Sequence, residues 1–154
     1  MIGQFNKFVI VNNTGYTITF NDGGDIDLSV IGFNITPATG KIAYAGGGSE
    51  TFGFTTGSSL ADGAEIVGTT EFDNTSDLCL GYLVEMDVAH DLAASCGGGT
   101  IDLYLATGTV TEECQTDASG YQDAETNKLY KVGSLTFPTG QTNDDRLYSE
   151  TFTL

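Results

Sequence analysis

The sequence has no tryptophan, a single histidine, two prolines, three cysteines and only five basic residues. Against these five stand 21 acidic residues, so the formal net charge is −16. Binding to a phosphate backbone requires clustered lysines and arginines, so the charge predicts neither a nucleic-acid partner nor an anionic membrane partner. The basic residues are also dispersed along the chain, at Lys7, Lys41, Lys128, Lys131 and Arg146.

The shortage of histidine and cysteine removes most of the residues that enzymes and zinc sites use. His90 stands in a predicted loop between Ala89 and Asp91, with no serine or cysteine nucleophile at a diagnostic spacing. The cysteines form no CxxC motif and are predicted to remain reduced. The glycine triplets at 46–48 and 97–99 lack the arrangement of a phosphate-binding loop. We therefore expect a protein that is not an enzyme and needs no cofactor.

Long hydrophobic runs are also missing. No segment approaches the roughly 18 apolar residues of a membrane-spanning helix. The apolar stretch near the amino terminus, Phe8–Val11, is too short for the core of a secretory signal. We therefore expect a protein that is made in the cytoplasm and is used as it stands or released by lysis.

The residues that are abundant favour short strands joined by glycine turns. The chain has 21 glycines, nine phenylalanines and seven tyrosines, together with many valines and threonines. Phe5–Asn12 is predicted as a first strand. Residues 16–20 and 26–30 then alternate apolar and polar side chains on either side of Asn21–Gly24, which predicts a β-hairpin.

Further strands are predicted in the middle and at the end of the chain. Residues 41–45 and 50–55 are expected to form two strands separated by the glycine triplet at 46–48. Residues 129–137, with a bulge at Gly133, and residues 147–154 are expected to form the last two.

The strongest periodicity lies in residues 78–88. Alternate apolar residues recur there, and a strand would place all of them on one buried face. They are Leu78, Leu80, Tyr82, Val84, Met86 and Val88. Residues 101–105 repeat the pattern, with Asp102 and Tyr104 expected to point outward.

These patterns predict a single all-β domain over residues 1–154. About ten short strands cannot bury their apolar faces in one open sheet, so two packed antiparallel sheets are expected. A jelly-roll-like sandwich is favoured, and an immunoglobulin-like sandwich is the second choice.

Two acidic loops are weak candidates for binding calcium, because carboxylate oxygens at alternate positions suit that ion. Neither loop matches the EF-hand pattern, and Asp and Asn also stabilise turns by bonding their own backbone, which is the favoured interpretation here. The candidate residues are Asp22, Asp25 and Asp27 in the first loop and Asp73 and Asp77 in the second.

The second half of the chain resembles a loose family of virion structural proteins from tailed bacteriophages. The resemblance covers roughly residues 69–154. It rests on the Glu71–Thr75 turn, the alternating strand at 78–88, the Gly97–Leu105 segment with its Gly-Gly-Thr-Ile-Asp-Leu-Tyr-Leu sequence, and Leu135–Pro138. Ala106–Val110 departs from the Asp-Gly turn that is common in the family, which leaves the subfamily open.

The resemblance implies a small β-sandwich that decorates or cements the outside of a capsid and binds the major capsid protein. It also implies a homo-oligomer, such as a trimer at threefold positions. We expect docking through an apolar terminal strand that pairs with a sheet edge of the partner. The candidate residues are Phe5, Phe8 and Ile10 near the start of the chain and Tyr148, Phe152 and Leu154 at its end. That each segment completes the protein's own sheet is an equal alternative.

Two other functions fit the same fold class. A tail-tube or tail-accessory protein would carry a long hairpin arm, for which only the polar 112–128 segment is a candidate. A carbohydrate-binding module would present clustered aromatic side chains on one face, and the chain has no tryptophan to contribute.

Overall fold

The computed structural model describes residues 5–20, 25–53, 58–90, 98–108, 129–136 and 146–153, and in these ranges the chain forms strands and turns with no helix. The all-β prediction is confirmed. The strands are β1 (Phe5–Asn13), β2 (Ile18–Phe20), β3 (Asp25–Thr36), β4 (Lys41–Gly53), β5 (Ser58–Leu60), β6 (Glu65–Val67), β7 (Phe72–Asp73), β8 (Gly81–His90), β9 (Thr100–Gly108), β10 (Leu129–Thr136) and β11 (Arg146–Thr153).

Two antiparallel sheets pack face to face. Sheet I has the strand order β10-β9-β1-β6, with β7 also paired to β1. Sheet II has the order β11-β8-β3-β4. The short strands β2 and β5 pair only with each other among the described strands. This arrangement confirms the predicted two-sheet antiparallel sandwich.

The strand order is that of a jelly roll with a different starting strand. In a jelly roll of eight strands, one sheet has the strand order 1-8-3-6 and the other has the order 2-7-4-5. If β10 is counted as strand 1, strands 1 to 8 are β10, β11, β1, β3, β4, β6, β8 and β9, and the two sheets of this chain have these same orders. The topology therefore matches the jelly-roll-like prediction better than the immunoglobulin-like alternative.

The core lies between the sheets and follows the alternation of each strand. In sheet I, β1 buries Phe8 and Ile10, which pair with positions 105 and 103 of β9. Phe8 also meets Phe72 edge to face, with ring centroids 5.4 Å apart. Strands β3, β4 and β8 of sheet II contribute further buried side chains to the core, namely Ile26, Leu28, Val30, Phe52, Tyr82, Val84, Met86 and Val88.

The hairpin predicted over residues 16–30 is wrong. Strand β2 pairs with β5, whereas β3 pairs with β4 and β8. The buried side chain of Asn12 helps to fix this path, because its amide nitrogen donates to the carbonyl oxygens of Tyr16 and Leu60, each at 2.8 Å. Alternation identifies a strand but not its partner, and the turn residues 21–24 lie outside the described residues.

The strand break predicted at residues 46–48 is also wrong, because β4 is continuous from Lys41 to Gly53. The strand instead has a β-bulge at Ala45 and Gly46, where the register against β3 shifts between Ile31 and Phe33. Gly47 has a φ of 132°, and a Cβ there would lie 2.2 Å from the carbonyl oxygen of Val30. Only glycine fits such a position, and it allows the strand to bend and continue.

The long alternating strand begins later than the periodicity predicts. Strand β8 begins at Gly81, and Leu78 and Leu80 are exposed, at 67% and 65% of their surface. Leu78 has a positive φ of 46°, which breaks the extended conformation just before the strand. The predicted inward row is therefore correct only from Tyr82 to Val88.

The predicted bulge at Gly133 is confirmed, since the register between β10 and β9 shifts between Lys131 and Gly133. A Cβ at Gly133 would lie 2.2 Å from the ring of Phe152 on β11. Glycine at this position thus leaves room for the aromatic ring between the two edge strands.

Strand β9 buries one polar residue on its outer face. Asp102 alternates with the core residues Ile101 and Leu103, as predicted, yet it is only 3% exposed. Its Oδ2 atom accepts from the side chains of Asn13 and Lys131, each at 2.7 Å. These contacts join β1, β9 and β10 on the outer face of sheet I.

The ion pair of Asp102 with Lys131 makes the free energy of unfolding depend on pH. Burial acts to raise the pKa of Asp102, but hydrogen bonding, chiefly from Lys131 and also from Asn13, outweighs it and lowers the pKa. A carboxyl group whose pKa is lower in the folded state stabilises the fold at pH values above its unfolded pKa of about 4. This stabilisation is lost as the pH falls through the folded pKa. In urea titrations we expect Asp102→Asn to be less stable than the wild type at neutral pH, and the difference to narrow near pH ~3. A difference that is constant with pH would contradict this role.

Candidate functional site

Exposed apolar side chains are concentrated at one end of sheet II. Eight large apolar residues are exposed among the described residues, and six of them lie in the β3–β4 hairpin or in the segment 78–80 beside it. The six are Ile31, Ile35, Ile42, Tyr44, Leu78 and Leu80. We call the part of the hairpin beyond the bulge, residues 33–44, the arm.

The register of the arm brings its apolar side chains onto one face. Phe33 lies directly opposite Tyr44, and Ile35 lies directly opposite Ile42. Ile31 precedes Phe33 by two positions, so it shares this face, which is the outer face of sheet II because Val30 points into the core. These five residues, the docking face, form a continuous apolar surface along two neighbouring strands.

Hydrogen bonds fix the position of the arm on the sandwich. At its base, the N–H of Leu80 donates to the carbonyl oxygen of Phe33 at 2.9 Å. The side chain of Asn34 donates to the carbonyl oxygen of Asp77 at 3.1 Å. At its tip, the N–H of Gly40 donates to the carbonyl oxygen of Thr36 at 2.8 Å. A surface that is already ordered loses little entropy on binding.

A buried carboxylate holds the proximal half of β4 to sheet I. Glu50 is 3% exposed, and its Oε1 accepts from the backbone N–H and the hydroxyl of Thr69, each at 3.1 Å. Its Oε2 accepts from the N–H of Thr70. The side chain thus connects β4 to the link between β6 and β7, across the open side of the sandwich.

The arm lacks the negative charge of the rest of the protein. No Asp or Glu occurs between Asp27 and Glu50, and Lys41 is the only charged residue of the arm. The proximal part of the same outer face is acidic, since Asp27 lies directly opposite Asp87 on β8. The docking face is therefore an apolar surface bordered by carboxylates.

The calcium candidates do not converge in the described part of the chain. The Oδ1 of Asp27 accepts from the hydroxyl of Thr51 at 2.6 Å, and the Oδ1 of Asp73 accepts from the N–H of Thr75 at 2.7 Å. Asp77 lies beside Gly46. Among the described residues no group of three metal-ligating side chains is present. Asp22 and the side chain of Asp25 lie outside the described residues.

The terminal docking candidates other than Leu154 lie in strands that complete the protein's own sheets. Phe8 and Ile10 are fully buried, and β1 is paired along both edges, with β9 on one side and β6 and β7 on the other. Phe152 is half-buried on β11, an edge strand of sheet II. The side chains of Phe5 and Tyr148 and all of Leu154 lie outside the described residues.

A small pocket of about 170 Å³ lies between the β4 bulge and residues 70–82. Cys79 and Tyr82 line it. Burial raises the pKa of the Cys79 thiol, and it raises the pKa of Tyr82 to about 12. Both groups therefore stay protonated at neutral pH, which disfavours a role for either as a nucleophile or a base.

The exposed tyrosines do not form a sugar-binding platform in the described ranges. Tyr16 lies after β1, Tyr44 on β4 and Tyr130 on β10. Strands β4 and β10 are edges of different sheets, and Tyr104 is only half-exposed. Stacking on a sugar chain requires aromatic rings side by side, and these three tyrosines do not lie beside one another, although Tyr44 lies opposite Phe33.

The chain matches no family model, no curated protein and no solved structure. In the part of the chain that the structure describes, no helix is long and apolar enough to cross a membrane.

Proposed function

We propose that this protein is a structural binding protein that attaches to a larger protein assembly through the docking face of the arm. The observation that carries the proposal is the concentration of six exposed apolar side chains on and beside one ordered hairpin. Contiguous apolar patches on otherwise polar proteins mark protein–protein contacts. The assembly that the sequence resemblance indicates is the outer surface of a tailed-bacteriophage capsid, with the major capsid protein as the partner.

The charge distribution supports a position on the outside of the particle. A net charge of −16 is repelled by packaged DNA and keeps a many-copy protein soluble before assembly. The arm is free of acidic residues, so the docking face itself is not repelled by an acidic partner. In this role the protein stabilises the shell mechanically and performs no chemistry.

The docking role is tested by charging the apolar face. We expect Ile31→Lys combined with Ile35→Lys to weaken binding to capsids that lack the protein by at least about tenfold, because lysine ammonium groups would be desolvated in the contact. Binding is measured by co-sedimentation of the purified protein with such particles. Both positions are exposed, so circular dichroism and melting temperature should change little.

The matched control is Tyr130→Lys, which charges an exposed aromatic residue on β10, far from the arm in the strand order. It should leave binding unchanged. Equal binding by the arm variant and the wild type would contradict the proposed docking face, and binding lost in the control alone would move the contact to β10.

A further inference from the structure

The distal half of β4 is an exposed strand edge. Within the described residues β4 pairs with β3 alone, and residues 41–44 are all exposed. The outer edge of such a strand presents N–H and C=O groups to any strand that approaches it. Natural proteins protect these edges with bulges, charges or polar side chains, and Lys41 is the one charge on the distal half.

The protection of β4 stops where the arm begins. The proximal half begins after the bulge at Ala45 and Gly46 and carries the exposed polar residues Ser49 and Thr51. The distal half has no bulge and carries Ile42 and Tyr44, which are 60% and 66% exposed. This contrast within one strand leaves the distal half open to a strand partner.

The charges around this edge allow the partner to be a second copy of the chain. One carboxylate lies close to this edge, because the side chain of Asp77 is beside Gly46, and Lys41 lies at the opposite end of the straight segment. In an antiparallel pair of two copies, opposite ends of the segment face each other, so Lys41 of each copy lies near Asp77 of the partner subunit. The two ends of such a contact therefore bring opposite charges together.

We propose that two copies pair antiparallel along residues 42–44, about a two-fold axis at Ala43. This segment lies between Lys41, which follows the turn at residues 37–40, and the bulge at Ala45 and Gly46, and its midpoint is Ala43. A two-fold contact is self-complementary. In this register Ile42 faces Tyr44 of the partner subunit, and Tyr44 faces Ile42 of the partner subunit.

The pairing joins two docking faces into one surface. Ile35, Ile42 and Tyr44 of both copies lie on the same side of the continuous sheet, because direct cross-strand neighbours share a face. A larger apolar surface with two-fold symmetry binds a repeating lattice more tightly through avidity. This consequence rests on the proposed docking role, whereas the pairing itself is measured without any target.

Sedimentation velocity of the purified chain tests the pairing. We expect the wild type to pass from monomer to dimer as its concentration rises, at physiological and at high salt. Ile42→Lys or Tyr44→Lys should raise the dimer dissociation constant by about tenfold or more, because each places a charge in the contact. The control Leu80→Lys changes an equally exposed apolar residue away from the edge and should still dimerise. A wild type that stays monomeric at all concentrations would overturn the proposal.

Cross-linking tests the register. Residues that face each other across an antiparallel pair have Cα atoms about 4.5–5.5 Å apart, which suits a disulfide. Ala43→Cys should therefore form a covalent dimer under mild oxidation faster than the unsubstituted chain. Thr39→Cys, at the exposed turn, should not. Equal rates for the two variants would overturn the Ala43 axis.

The two proposals fail separately. A monomeric wild type whose binding to particles depends on Ile31 and Ile35 would overturn the pairing and keep the docking face. A dimer that does not bind particles would keep the pairing and overturn the docking role.

Discussion

Phe8→Ala is expected to lower the free energy of unfolding by about 3–5 kcal/mol, the usual cost of removing a buried aromatic ring. Phe8 is fully buried and packs edge to face on Phe72. The ring fills space between the two sheets, and β1 is too central to collapse around the cavity. Urea unfolding followed by fluorescence and circular dichroism measures the change.

This variant also separates the two docking hypotheses. If Phe8 served as an anchor, the variant would keep its stability and lose binding to particles. Docking through the arm predicts the opposite, namely lost stability with normal binding of the molecules that remain folded. Ile35→Ala is the matched control, because this residue is 49% exposed on the arm. It should change stability by no more than about 0.5 kcal/mol and should weaken docking.

Glu50→Ala is expected to be the other strongly destabilising change, by about 2–4 kcal/mol. The carboxylate accepts from two backbone N–H groups and one hydroxyl, at Thr69 and Thr70. Without it these donors lose their partner in a site where Glu50 itself is only 3% exposed. Thr69 is exposed and Thr70 is half-buried, so the expected loss comes from the hydrogen bonds to a charged group, which contribute more than ordinary ones.

Glu50→Gln is the control for this prediction. The amide oxygen keeps one acceptor, whereas the NH₂ group faces a donor, so an intermediate loss of stability is expected. Hydrogen exchange at Thr69 and Thr70 should be faster in both variants, and fastest in Glu50→Ala. Unchanged stability in Glu50→Ala would contradict a structural role for the carboxylate.

The fold class was predictable from the sequence because period-two alternation is a local property of a strand. The inward row from Tyr82 to Val88 and the inward residues at 101–105 are correct for this reason. The bulge at Gly133 was also predictable, since an isolated glycine in a strand pattern favours a bulge. The two-sheet arrangement follows because many short apolar strands need a second layer.

Strand partners were not predictable, because pairing depends on contacts between distant residues. The contact of Asn12 with Leu60, which helps to direct β2 toward β5, joins residues 48 positions apart. The continuity of β4 depends on a bulge in which Gly47 approaches the backbone of Val30. The sequence shows the glycines, but the same glycines also suit a turn.

The docking face was not predicted, because the apolar strands at the two ends of the chain were the more obvious candidates. One signal was present in the sequence, since Ile31, Phe33 and Ile35 continue the alternation of β3 in the phase opposite to Ile26 and Leu28. A strand that is apolar on both faces either is covered on both or contacts a partner. The absence of acidic residues between Asp27 and Glu50 supported the same interpretation.

A cryo-EM map of the assembled particle is the most direct test of the central claim, that the arm is the surface through which this protein attaches. We expect density for the β-sandwich on the outer shell, with the face formed by Ile31, Phe33, Ile35, Ile42 and Tyr44 against the major capsid protein. A map in which the arms of the sandwich point into solvent, or a map with no density for this chain, would contradict the claim.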